Sequence, residues 1–88
     1  MSSNIIGGVK FTHTEAKVLS CFAAHIVKSK LIGSILGSAP KTIDTHIDNI
    51  KRKINANNKD DVLIFIKKCP EISQLKIKFN SHYIDHKF

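Results

Sequence analysis

The segment that decides the fold of this 88-residue chain is Pro40-Lys41-Thr42-Ile43-Asp44-Thr45-His46-Ile47-Asp48-Asn49-Ile50-Lys51-Arg52-Lys53-Ile54. Its isoleucines recur at helical spacing and give it one apolar face: Ile43, Ile47, Ile50 and Ile54. Pro40 suits the first turn of a helix, where a missing backbone N–H costs nothing. The opposite side is polar and mostly basic: Lys41, Thr45, Asp48, Lys51 and Arg52. We therefore predict an amphipathic helix over residues 40–54.

A shorter helix is predicted immediately before this one, over residues 29–36. Ile32, Ile35 and Leu36 form its apolar face, and Gly37 is a typical C-terminal stop. A helix, a tight turn and a second helix with a basic outer face have the form of a DNA-reading motif. The alternative is an amphipathic helix with an ordinary solvated face, and these residues alone favour neither interpretation.

Capping patterns predict two further helices. Thr12-His13-Thr14-Glu15 has the form of a capping box, so a helix should begin near Thr12. Asn58 can cap a fourth helix over residues 59–68, and part of its apolar face, near Phe65, should remain available to a partner. Helical periodicity in the four segments predicts one common core: Leu19, Phe22, Ile32, Leu36, Ile43, Ile47, Ile50 and Ile66.

The two ends of the chain differ from this helical middle. Residues 1–10 contain Ser, Asn and paired Gly, so we expect a loose lead-in segment. Residues 71–88, after Pro70, fit both a strand period and a helix period. We expect a short helix and a tail there, because a lone strand would lack a partner. The predicted division is a lead-in at 1–10, a helical domain at 11–68 and a C-terminal extension at 69–88.

The amino-acid composition indicates which class of partner this protein binds. The formal net charge of +7 in one small domain favours a polyanion, either nucleic acid or an anionic membrane surface. We expect no membrane partner, because the basic and apolar residues do not share one strongly amphipathic helix. No apolar run is long enough to cross a bilayer and there is no signal-peptide pattern, so we expect a cytoplasmic protein.

Catalytic and metal-binding patterns are weak. Cys21 and Cys69 have neither disulfide-framework nor zinc spacing. His82 and His86 could share a helix face, but two ligands do not make a metal site. No nucleophile, acid–base pair or glycine-rich phosphate loop has supporting spacing. We therefore expect no enzyme activity, no cofactor, no metal and no small-molecule substrate.

Several motifs together resemble a known family. Phe11-Thr12-His13-Thr14-Glu15 stands where that family commonly has Leu-Thr-x-x-Glu, and the run from Pro40 to His46 is followed by Asn49-Ile50 and Lys53-Ile54. Over about residues 11–67 the chain is similar to the LuxR/FixJ-type helix-turn-helix domains of bacterial transcription regulators. The resemblance implies an all-α, four-helix domain that binds double-stranded DNA sequence-specifically. The short extra C-terminal helix expected from the pattern of residues 71–88 would be an addition to that domain.

The resemblance also implies a set of contact residues. The third helix would enter the major groove, Lys41 and Thr42 would grip phosphates at its start, and Lys51 and Arg52 would follow the phosphates further along. The second helix would touch the other edge of the groove, and helix 59–68 would form a homodimer on DNA. The expected DNA-binding residues are Ser29, Lys30, Lys41, Thr42, Thr45, His46, Asp48, Asn49, Lys51 and Arg52. For His46, which lies beside the apolar stripe, a satisfied semi-buried side chain is an equal alternative to a phosphate contact.

Departures from the family pattern support one alternative. Ala39 replaces the usual N-cap Ser, Leu31 stands where Glu is common, and Asp44 and Asp48 stand where basic or neutral residues are common. Carboxylates on the outer face of the third helix would blunt contact with phosphates. The alternative function is therefore a non-catalytic protein-interaction module on a helix-turn-helix scaffold.

Overall fold

The computed structural model of the chain describes residues 3–69. Two short strands precede four helices: β1 (Ser3–Ile6), β2 (Val9–Thr12), α1 (His13–Ala23), α2 (Ser29–Leu36), α3 (Pro40–Ile54) and α4 (Lys59–Lys67). The prediction of four helices is confirmed, and the fold is mostly helical. The short helix expected within residues 71–88 lies outside the described residues.

The expectation of a loose segment over residues 1–10 was wrong for residues 3–10, the part of it that the structure describes. β1 and β2 form an antiparallel hairpin in which Ile6 pairs with Val9 and Ile5 with Lys10. Gly7 and Gly8 make the two-residue turn with φ of +59° and +81°, a conformation that glycine adopts without strain. Because the hairpin buries Ile6 and Phe11 against the helices, the described fold is not purely α. The predicted division into lead-in, domain and extension stays a prediction.

α1 is the central element and contacts both strands and the other three helices. Its start is the predicted capping box: Thr12 Oγ1 accepts a hydrogen bond from the Glu15 N–H at 3.1 Å, and Glu15 Oε1 accepts one from the Thr12 N–H at 2.9 Å. Val18, Leu19 and Phe22 are fully buried on this helix. The local cap therefore fixes where the most buried helix begins.

The turn between α2 and α3 is tight. α2 ends at Leu36 with Gly37 as its C-cap, whose φ is +73°, and the Ser38 N–H donates to the Gly33 carbonyl at 2.9 Å. A Cβ atom built on Gly33 would lie 2.3 Å from the Ser38 carbonyl oxygen, so the turn requires glycine at this position. α3 starts at Pro40 after Ala39, which has no side-chain hydrogen bond to the helix. The two glycines thus set the close approach of α2 and α3.

The predicted core is confirmed, with one residue nearer its edge. Seven of the eight side chains are buried, and Leu36 is partly buried against them. α4 begins where expected, since Asn58 Oδ1 accepts from the Asp61 N–H at 2.9 Å, and it ends at Lys67 with Lys68 as its C-cap.

The apolar surface left on α4 differs from the expectation. Phe65 packs edge-to-face on Phe11 of the hairpin, with ring centroids 6.1 Å apart. Its neighbour Ile64 is instead half exposed, at 50%. The hairpin, which the sequence analysis did not predict, partly covers Phe65. The exposed apolar side chain on α4 is therefore that of Ile64.

Candidate nucleic-acid interface

The outer face of α3 carries most of the residues predicted to bind DNA, and all of them reach the surface. Lys41, Thr42, Thr45, Asp48 and Arg52 are exposed on α3. His46, Asn49 and Lys51 are half-buried at the margins of the same face. At the start of α2, Lys30 is exposed and Ser29 half-buried. The apolar stripe of isoleucines holds this face outward by burying the opposite side of the helix.

A hydrogen bond joins α2 to the outer face of α3. The Ser29 hydroxyl donates to Asp44 Oδ1. Asp44 is exposed in the second turn of α3, and no periodic pattern in the sequence connects it with Ser29, which lies 15 residues earlier. The bond places Ser29 and Lys30, two predicted contact residues, beside the predicted reading face.

Five other polar side chains of α3 make contacts along the helix. Asp48 Oδ1 lies 3.5 Å from Lys51 Nζ, a partly exposed ion pair of the kind that contributes at most about 1 kcal/mol. Arg52 Nη1 donates to Asn49 Oδ1 at 3.2 Å. Thr45 Oγ1 donates to the Lys41 carbonyl at 3.2 Å. Such weak contacts can be exchanged for contacts with a ligand at small cost.

Lys53 is not among the residues predicted to bind DNA, and in the structure it has a different role. Its Nζ lies 2.6 Å from Glu15 Oε1, donates to the Lys10 carbonyl at 3.2 Å and lies 5.5 Å from the Phe11 ring centroid. Burial raises the pKa of Glu15, but the hydrogen bonds from Lys53 and from the Thr12 N–H outweigh it, so the pKa lies below its usual value. Lys53 thus neutralises a buried carboxylate and ties α3 to α1 and β2.

An open groove runs along this side of α3. Glu15, Asn49, Arg52 and Lys53 line it. The Glu15 carboxylate is already matched by Lys53. Arg52 donates to the amide of Asn49 and forms no ion pair with an acid of residues 3–69, so it adds positive charge to the groove. The groove leaves the flank of α3 that faces α1 accessible to an anionic ligand.

Other kinds of site find little support in the described chain. Within residues 3–69, no group of three or more His, Cys, Asp or Glu side chains could hold a metal ion. His82 and His86 lie outside these residues. None of the helices between residues 3 and 69 is long and apolar enough to cross a membrane.

The comparisons with known proteins agree with the helix-turn-helix geometry. Residues 9–66 match the family described as bacterial regulatory proteins, luxR family. The match extends from β2 to the last turn of α4 and contains the whole outer face of α3. No curated protein and no solved structure gives a significant match.

Proposed function

Because the chain belongs to the luxR family of bacterial regulatory proteins, we propose that it binds double-stranded DNA sequence-specifically, with α3 in the major groove. Domains of this family are DNA-binding transcription regulators and are typically not enzymes. The observation that carries the finer proposal is the exposed outer face of α3, held outward by buried Ile43, Ile47 and Ile50.

The basic residues supply most of the affinity in this proposal. Lys30, Lys41, Lys51 and Arg52 contact phosphates and release counterions, as basic groups do along duplex DNA. Thr42 and His46 add phosphate contacts near the start of the helix. Each phosphate neutralised steepens the dependence of log K on log salt by about 0.9.

The polar side chains nearer the centre of the face supply the base preference. Thr45 contacts a thymine methyl group or a phosphate, and Asn49 lies one turn further along the helix. A carboxylate that enters the groove is repelled by phosphates unless it accepts a hydrogen bond, most readily from cytosine N4. Asp48 accepts that bond after exchanging its weak pairing with Lys51. In this proposal the sequence preference depends on the polar residues, Asp48 above all, and the affinity depends on the basic residues.

Selection from random duplexes, followed by titration of the selected site against salt, tests the function. The expected result is an enriched motif and an affinity that falls steeply with salt. Lys41→Gln should make the salt dependence less steep by about 0.9, whereas Lys17→Gln on α1 should leave it unchanged. Weak binding with no enriched motif and no salt dependence contradicts DNA binding and favours the protein-interaction module.

We further propose that two copies pair on DNA through residues 59–68. Asp60, Ile64 and Lys68 are exposed and spaced four residues apart, so they share one face of the α4 segment. In an antiparallel, two-fold pairing centred on Ile64, Asp60 of one copy faces Lys68 of the other. Such pairing buries the exposed isoleucine and matches opposite charges.

Binding to one and to two half-sites tests the pairing. Two half-sites at the correct spacing should bind more tightly per copy than one half-site. Ile64→Glu should abolish that gain and preserve binding to a single half-site. Equal affinity per half-site in the wild-type protein contradicts pairing.

A further inference from the structure

Two other elements touch α3 on opposite sides of its outer face. On one side Ser29 of α2 donates to Asp44, and on the other Lys53 donates to the Lys10 carbonyl of β2. Asp44 and Lys53 are nine residues apart, which is about two and a half helical turns, so they point in opposite directions. The reading face lies between them. α3 is therefore flanked by α2 on one side and by the hairpin on the other.

A helix that lies in the major groove has one sugar–phosphate strand on each side. If α3 occupies the groove as proposed above, the start of α2 faces one strand and β2 faces the other. We propose that the β1–β2 hairpin is a second phosphate-binding element, with Lys10 as its contact to the strand opposite the one that Ser29 and Lys30 approach. This inference rests on the proposed function and assigns a DNA contact to a segment outside the helix-turn-helix unit.

The position of Lys10 in the hairpin suits this role. β2 alternates between exposed Lys10 and fully buried Phe11, so the hairpin is anchored by one side chain while the next is presented to solvent. The contact with Lys53 uses the main-chain carbonyl of Lys10 and leaves its side chain exposed. Substituting that side chain therefore preserves the contact that positions the strand.

The local charges also favour a phosphate. Lys10 is the single charged residue within residues 3–12, so no acid in the hairpin opposes it. The charge of Lys53 is matched by Glu15, whereas Arg52 lines the open groove beside it. Lys10 and Arg52 thus supply the positive charge on this flank. The two elements that flank α3 also meet it at different heights. Because a helix rises about 1.5 Å per residue, the contact of Lys53 with β2 lies about 13 Å along α3 from the contact of Asp44 with α2.

Salt titration of three variants on the selected duplex tests the inference. Lys10→Gln should make the dependence of log K on log salt less steep by about 0.9, and Lys41→Gln should do the same. Lys17→Gln is the matched control, since Lys17 points to the opposite side of α1 from Glu15 and should leave the slope unchanged. Circular dichroism should show that all three variants fold.

Phosphate ethylation interference separates a phosphate contact from an indirect effect. Wild-type protein should show interference on both strands, and Lys10→Gln should lose it only on the strand away from Ser29 and Lys30. An unchanged slope for Lys10→Gln, with the expected decrease for Lys41→Gln, overturns the hairpin contact and keeps the proposed function. A wild-type affinity that is independent of salt overturns both.

Discussion

Lys53 Nζ and Glu15 Oε1 lie 2.6 Å apart and join the last turn of α3 to the first turn of α1. Glu15 is 3% exposed, and its carboxylate also accepts a hydrogen bond from the Thr12 N–H. One acidic group therefore closes the cap of the central helix and holds the end of the proposed reading helix. Loss of its charge should weaken both contacts together.

The first prediction concerns acid stability. The pKa of Glu15 is lowered in the folded state, so its contribution to stability is complete above the unfolded value of 4.5 and is lost as the pH falls through the lower, folded pKa. Urea unfolding of wild-type protein at a series of pH values should show stability falling below about pH 4.5. Glu15→Gln should be less stable at pH 7 and should lose less stability on acidification. An equal acid loss in both proteins would assign the effect to other carboxylates.

The second prediction compares the two glycines of the hairpin turn. Gly7→Ala and Gly8→Ala both place a Cβ atom at positive φ, which costs about 1–2 kcal/mol. At Gly7 the new Cβ would also lie 2.7 Å from Cys69 Sγ, whereas at Gly8 no atom of the described chain lies within 4 Å. Gly7→Ala should therefore be the more destabilising in thermal or urea unfolding. Equal losses would show that the turn does not pack tightly on Cys69.

The third prediction concerns the core. Ile47 is 3% exposed, and Ile47→Ala should lower the free energy of unfolding by about 2–5 kcal/mol because it leaves a cavity beneath α3. Ile5→Ala is the matched control, since Ile5 is 64% exposed and its truncation should change stability by less than about 0.5 kcal/mol. Urea denaturation of the two variants measures the difference, and similar small losses would contradict the packing of α3.

The fourth prediction concerns the acidic residue of the reading face. Asp48→Ala removes a charge that phosphates repel, so binding to random duplexes should strengthen while any preference for a cytosine-containing step relaxes. Affinities for random and selected duplexes measure the two effects. Uniformly weaker binding to every sequence would mean that Asp48 positions Lys51 and reads no base.

Local patterns in the sequence were enough to predict the helices. The isoleucine spacing of α3, the box formed by Thr12 and Glu15, and the cap at Asn58 are each decided within a few residues. These local patterns predict the succession of helix, turn and helix, and they also predict which face of α3 points outward. The resemblance to a family added the proposed contact residues, which remain predictions.

The contacts that could not be predicted join residues far apart in the chain. The pairs Ser29–Asp44 and Glu15–Lys53 have no periodic relation, so only the folded chain brings them together. The hairpin did carry a local signal, because Gly7-Gly8 between two apolar runs is typical of a two-residue turn. Interpreting those glycines as flexible predicts no strands. It therefore also fails to predict the packing of Phe11 on Phe65.

The packing of the hairpin on α4 has a consequence for the order of events during synthesis. Gly7 lies against Cys69 and Phe11 against Phe65, so residues of the hairpin complete their contacts with residues made more than fifty positions later. Non-local contacts of this kind slow folding, because the entropy of closing the loop is lost before the contact forms. On the ribosome, the hairpin of a nascent chain could pack on α1 early, but the side of it that contacts Phe65 and Cys69 would stay uncovered until α4 has emerged. During that interval the uncovered apolar surface of the hairpin is open to chaperones and to pairing with another nascent chain.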